Sequence, residues 1–245
     1  MQKILLLCLF FGFFLLPGCS HKGTKTMITD GEFERNFSTT ISKTIGYRYH
    51  LYIPNIDRPE KGFPLLLFLH GAGERGSDIE LVKIHGLNNM LETLNPMPCI
   101  VISPQVPDGA WWDSEILDAL IDHILETYPI DSNRIYVTGL SMGGYGTWDV
   151  ITKYPERFAA AIPICGGGNW LFADRAKNVP VWAFHGDADT VIPIDRSVEM
   201  VEALRQAGGD AQLTVYPDTG HDAWTPTYRN EEIYQWLLQH QRKSD

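Results

Sequence analysis

Arg134-Ile135-Tyr136-Val137-Thr138-Gly139-Leu140-Ser141-Met142-Gly143-Gly144 lies near the middle of the 245-residue chain, and its reading organises the rest. Ile135 to Thr138 is a short β-branched and aromatic run of the kind used by buried strands. Gly139 and Gly143 then flank a serine in the pattern Gly-x-Ser-x-Gly. The glycines are required because a serine on a strained strand-to-helix turn leaves no room for side chains two residues away on either side. Downstream, Tyr145-Gly146-Thr147-Trp148-Asp149-Val150-Ile151 continues as a helix held close to a sheet. The stretch therefore reads as an elbow that lifts the Ser141 hydroxyl clear of the sheet, where a nucleophile belongs.

Working outward, the apolar runs Pro64–Leu69, Cys99–Ser103, Ala159–Ile164 and Val181–Phe184 predict parallel strands covered on both faces, and Gln212–Tyr216 predicts the last strand. Ser38–Thr44 and Tyr47–Pro54 read as an opening antiparallel pair turning at Ile45-Gly46. Helical periods cover Asp78–Leu94, Ser114–Thr127, Ser141–Tyr154, Ile194–Gln206 and Glu231–Gln241. The alternation predicts one α/β domain over residues 34–245, with a mostly parallel central sheet of about eight strands and helices on both faces.

The N-terminus reads differently. Lys3 precedes an apolar run from Ile4 to Leu16, too short to span a bilayer comfortably and suited to a secretory signal over residues 1–18. Leu16-Pro17-Gly18-Cys19 resembles the lipobox of bacterial lipoproteins. That resemblance implies cleavage before Cys19, lipid attachment to it and export, and Ser20 in the next position points toward the outer membrane or the periplasmic face. Residues 19–33 are polar and aperiodic and read as a flexible tether. The formal net charge is −10 and the only basic pair is Arg242-Lys243, which argues against binding nucleic acid or an anionic membrane by charge; the membrane link is the lipid. Cys99 and Cys165 are expected to stay reduced, because they start and end strands placed toward opposite edges of the sheet.

In an open parallel sheet, functional residues collect in the loops at the carboxyl ends of the strands. His70-Gly71-Ala72-Gly73 follows one such strand, and its glycines free backbone N–H groups to face a developing oxyanion. The second donor is expected at Met142, directly after the nucleophile. His185-Gly186-Asp187-Ala188-Asp189 follows another strand; either aspartate could orient a catalytic histidine. Taken together with Thr190-Val191-Ile192-Pro193, these motifs resemble the α/β-hydrolase superfamily from about Tyr47 to the C-terminus. Within it they are most similar to the phospholipase/carboxylesterases, feruloyl esterases, dienelactone hydrolases and prolyl-oligopeptidase-like peptidases. The resemblance implies that Asp189, the fifth residue of His-Gly-x-x-Asp, is the acid. It also implies that Ala72 is the partner of Met142. Of eight histidines, His221 in Thr219-Gly220-His221-Asp222 follows the last predicted strand, where the family places its base. The order Ser141, Asp189, His221 agrees with this fold.

These roles describe a serine ester hydrolase working through an acyl-enzyme. No metal-ligand spacing, phosphate loop or dinucleotide fingerprint competes, so neither metal nor cofactor is expected. The short span from Gly166-Gly167-Gly168 to Val181 leaves no room for a substantial cap domain. An open site suits short acyl, acetyl or feruloyl esters, including carbohydrate-linked ones. Trp111, Trp112 and Trp224 lie near the catalytic edge; Trp112 and Trp224 are the candidates to stack on substrate. A peptidase with the same triad and a non-catalytic binding lipoprotein are the alternative classes.

Overall fold

The computed structural model describes residues 37–39, 46–91 and 97–242. The chain divides into two units, Met1–Lys43 and Thr44–Asp245. Of the first, only residues 37–39 are described, and they carry no regular structure. The signal-like run, Cys19, the tether and most of the expected strand Ser38–Thr44 lie outside the described residues.

In the second unit seven strands form one sheet in the order β1-β3-β2-β4-β5-β6-β7: β1 Arg48–Tyr52, β2 Phe63–Leu69, β3 Ile100–Gln105, β4 Ile130–Leu140, β5 Ala160–Ile164, β6 Val181–Gly186 and β7 Ala211–Tyr216. Only β1 runs antiparallel, and it does so against β3, with Arg48 opposite Gln105. The α/β-hydrolase architecture expected from the sequence is therefore present, with seven strands among the described residues where about eight were anticipated.

Two apolar layers cover the sheet because strand side chains alternate between its faces. Leu65, Leu67 and Leu69 of β2 face one layer, closed by α2 (Ser114–Thr127), α3 (Met142–Lys153) and α4 (Asp195–Gln206). Leu66 and Phe68 face the other, closed by α1 (Leu87–Met90), α5 (Trp224–Arg229) and α6 (Glu231–Gln239). All seven residues of β2 are buried, and each such large apolar side chain stabilises the fold by about 1.5–3 kcal/mol. Pro64, which cannot donate to the ladder, coincides with a register shift between Phe63 and Leu65 in the pairing of β2 with β4.

One expected helix is corrected. Asp78–Leu94 has a helical period, but among the described residues it forms a 3₁₀ turn at Ile79–Lys83 and then the single-turn α1. Gly86 divides them at φ 72°, pressed so closely on Phe68 that a β-carbon there would stand 2.6 Å from the ring. The packing of Gly86 overrides the periodicity. α2, by contrast, has the predicted bounds, with Asp113 accepting a hydrogen bond from the Glu115 N–H at 3.0 Å as its N-cap. Cys99 and Cys165 are buried free thiols, Cys99 at the entry to β3 and Cys165 just past β5.

The closest backbone approach lies where α3 meets the sheet. A β-carbon on Gly143 would run into the Leu69 carbonyl, and one on Gly144 would stand 2.5 Å from the Ile164 carbonyl oxygen. Gly143→Ala is therefore expected to destabilise the protein by about 3 kcal/mol, lowering Tm by roughly 10 °C; a thermal melt matching that of the native protein would show that the contact can relax.

Candidate active site

Ser141 follows β4 directly and caps α3 with φ 54° and ψ −117°, a left-handed conformation that a side-chain-bearing residue adopts only at a cost. Its N–H donates to the Ile164 carbonyl at 2.9 Å, which continues the β4–β5 ladder into the turn. The hydroxyl thus leaves the sheet at a fixed point.

The loops after β6 and β7 supply its partners. Asp187 N–H donates to Tyr216 at 3.1 Å and Ala188 N–H to Thr219 at 3.0 Å, stitching the two loops together. As a result His221 Nδ1 lies 2.7 Å from Asp189 Oδ2 while His221 Nε2 lies 2.9 Å from Ser141 Oγ. A carboxylate only accepts, so Nδ1–H donates to it and Nε2 is left to accept from the serine hydroxyl. Asp189 is buried and Asp187 exposed, so of the two aspartates the structure brings only Asp189 to His221. Burial alone would raise the Asp189 carboxyl. Hydrogen bonds from His221 and from the Ile192 and Val191 N–H groups outweigh it and hold the carboxyl below the usual range.

Met142 is the first residue of α3, and Ala72 opens a 3₁₀ turn, Ala72–Glu74. N–H groups in those positions have no acceptor within their own helix. The two turns abut: a β-carbon on Gly71 would stand 2.8 Å from Leu140 Cδ1. His70 shapes the same loop from beneath. It is 1% exposed, and its Nδ1 lies 2.6 Å from the Gly71 carbonyl while its Nε2 accepts from Val106 N–H at 3.0 Å. Only the neutral ring, donating at Nδ1, satisfies both.

Trp112 and Trp224 occupy different environments. Trp112 is buried, donates its indole N–H to the His70 carbonyl at 3.1 Å and packs against the His70 ring, so only an edge reaches the cleft beside α3. Of the two tryptophans expected as candidates to stack on substrate, Trp112 is the more deeply buried. Its neighbour Trp111 carries the exposed ring, at 60%. Trp224 is half-buried and stands edge-on to His221 at 5.3 Å.

Sequence reasoning passed over two residues. His185 is fully buried, lies 2.7 Å from Ser197 Oγ through Nδ1, and has Nε2 2.9 Å from the Ile192 carbonyl and 3.3 Å from Asp189 Oδ2. It braces the loop carrying Asp189; its place in the His-Gly-x-x-Asp motif was the available signal. Glu74 is buried with Oε2 unpartnered, 3.9 Å from His70 Nδ1, and burial raises its carboxyl. Among the described residues one group, Cys165, Asp189 and His221, could offer ligand atoms to a metal. Both ring nitrogens of His221 are already engaged by Ser141 and Asp189.

A sheet of this topology with a serine elbow at its carboxyl edge defines an α/β-hydrolase. The chain belongs to the dienelactone hydrolase family, whose model matches residues 108–234. It is 31% identical over 156 residues to a bifunctional acetylxylan esterase/xylanase of Neocallimastix patriciarum, spanning 60% of this chain and 22% of that protein. It is 25% identical over 174 residues to a probable feruloyl esterase C of Aspergillus terreus, spanning 67% and 63%. The chain thus spans less than two thirds of each of these relatives. The crystal structure of a thermostable esterase superposes on 79% of this chain and 59% of its own, with 39% identity and a TM-score of 0.69. No helix among the described residues is long and apolar enough to cross a membrane.

The buried His70 sets a pH dependence. Burial pushes its imidazole down to about 4 from 6.5. Between those values the unfolded chain binds a proton that the folded chain refuses, so stability is full above the unfolded pKa and falls as pH drops through the window. The loss reaches on the order of 3 kcal/mol near pH 4. His70→Gln, which cannot titrate, is expected to flatten the decline in urea midpoint between pH 7 and pH 4.5; parallel declines in both proteins would remove His70 as its source.

Proposed function

We propose that the protein hydrolyses carboxylic esters through a serine acyl-enzyme, acting on short-chain acyl, acetyl or feruloyl esters, including carbohydrate-linked ones. The observation that carries this is the unbroken path from Ser141 Oγ through the His221 ring to Asp189, at 2.9 and 2.7 Å. His221 takes the serine proton as Oγ attacks the acyl carbonyl, and buried Asp189 keeps the ring in the required tautomer and stabilises the imidazolium. The tetrahedral oxyanion is held by the N–H groups of Met142 and Ala72, each worth roughly a hundredfold or more in rate. His221 then protonates the leaving alcohol, activates water, and the acid is released.

The ester class is supported by relatives named as acetylxylan and feruloyl esterases. An uncapped approach is supported by the connection from β5 to β6, whose only regular element is a 3₁₀ segment, Trp170–Ala176. We further propose that residues 1–18 are a cleaved signal and that Cys19 carries the lipid anchoring an exported enzyme to the bacterial outer membrane or periplasmic face. This rests on the Leu16-Pro17-Gly18-Cys19 sequence.

Purified native protein and Ser141→Ala, compared on p-nitrophenyl acetate, butyrate and octanoate, methyl ferulate and acetylated xylan, test the chemistry. Turnover is expected to favour short-chain or feruloyl esters and to fall at least about ten-thousand-fold in the variant. Equal inertness of both proteins on every ester would sink the proposal and bring amide and peptide substrates forward. For the anchor, Cys19→Ser is expected to abolish labelling by a radioactive fatty acid; undiminished labelling would place the lipid elsewhere.

A further inference from the structure

Beside the elbow lies a cleft of about 770 Å³ that the triad does not use. Tyr145, Asp149 and Lys153 of α3 line it at four-residue intervals and so share one helix face. The Tyr145 N–H donates to the Ser141 carbonyl at 3.1 Å. The cleft therefore begins a single helical turn, about 6 Å along the axis, from Ser141.

Its walls are unusually aromatic for an exposed surface. Trp111, 60% exposed, stands edge-on to Tyr145 at 6.4 Å, and across from them the segment between β5 and β6 contributes Trp170 and Phe172, 52% and 43% exposed. Exposed rings gathered in a concavity mark a surface that something covers. A sugar ring fits them well: its C–H face is apolar and lies flat on an aromatic ring while its hydroxyls stay in water.

The charge narrows the choice. Three cations, Lys153, Arg175 and Arg196, line the cleft against one carboxylate, Asp149, in a chain of net charge −10. Asp149 is already engaged by the Ser114 hydroxyl and by Lys153 at 2.9 Å. Arg175 lies 4.3 Å over the Phe172 ring, and among the described residues no carboxylate pairs with it. Among the described residues the one carboxylate paired with Arg196 is exposed Glu199, at 3.3 Å, the kind of surface pair that contributes little and exchanges readily. Two guanidinium groups thus stand ready to take a carboxylate, for which their planar fork is suited. A neutral sugar chain would leave them unused, and a feruloyl group would fill the rings while giving the arginines nothing to bind.

We propose that this cleft is the subsite for the polymer that carries the ester, and that it takes an acidic polysaccharide: Trp111 and Trp170 stack on its sugar rings, and Arg175 with Arg196 holds the carboxylate of a uronic acid residue. The inference rests on the esterase reading, since the scissile acyl group would hang from that chain.

Binding can be measured without turnover by following tryptophan fluorescence of Ser141→Ala during titration with a glucuronic-acid-substituted xylotetraose and with unsubstituted xylotetraose. The acidic sugar is expected to bind about tenfold more tightly, and the gap should narrow sharply in about 0.5 M NaCl. Adding Arg175→Ala should erase most of the gap, Arg175→Lys should keep part of it, and Trp170→Ala should weaken both sugars several-fold. Equal affinity for the two sugars, binding of neither, preferential quenching by methyl ferulate, or an undiminished gap in Arg175→Ala would each overturn the proposal. Hydrolysis of p-nitrophenyl acetate by the native protein, assayed alongside, reports on the esterase reading alone: activity there with no acidic preference would fail the subsite and leave the chemistry standing.

Discussion

The structure depends on one close approach of backbone to backbone. Ser141 can hold φ 54° only because the first turn of α3 rests on the carbonyl ends of β2 and β5, with Gly143 against Leu69 and Gly144 against Ile164. A side chain at either glycine would lift the helix off the sheet. The same contact sets the height of the serine hydroxyl above the strands and, through Leu140, the position of the Gly71-Ala72 turn beside it. Packing of main chain, rather than any side-chain bond, therefore makes Ser141 and the Gly71-Ala72 turn neighbours.

A second set of constraints brings in the remaining two groups. Asp189 and His221 are 32 residues apart, and no regular element holds both. What holds them is the pair of backbone bonds between the β6 and β7 loops, with His185 bracing the acid loop from the core. The carboxyl is buried yet ionised more easily than usual because three donors converge on it. Strain at the serine and satisfaction at the aspartate are complementary: one residue holds a strained φ, and the other is fixed so that the histidine has a single useful orientation.

The local features of this arrangement are legible in the sequence, and the long-range ones only partly so. The elbow is readable because steric demand forces glycine at fixed offsets from Ser141, and the buried strands are readable because both faces must be apolar. The choice between Asp187 and Asp189 needs either the family pattern or the cross-loop bonds, which no local rule contains. Likewise, nothing in Trp111-Trp112 says which ring turns inward; the bond from Trp112 to the His70 carbonyl decides it. The helix expected over Asp78–Leu94 fails for a similar reason. Its periodicity is real, but Gly86 must fit against Phe68, a residue of the preceding strand β2.

The placement of β7 carries a consequence of its own. It is an edge strand of the described sheet, paired on one side only with β6, and five of its six residues are at least partly open to solvent. Such strands open more readily than those at the centre, in excursions far cheaper than global unfolding. The loop bearing His221 hangs from this strand, whereas Ser141 is rooted in the sheet interior. The two members of the pair consequently have unequal tenure: fraying at one margin would part His221 from Ser141 while the apolar layers stayed intact. On heating, the hold of β6 on β7 would then give way before the core does.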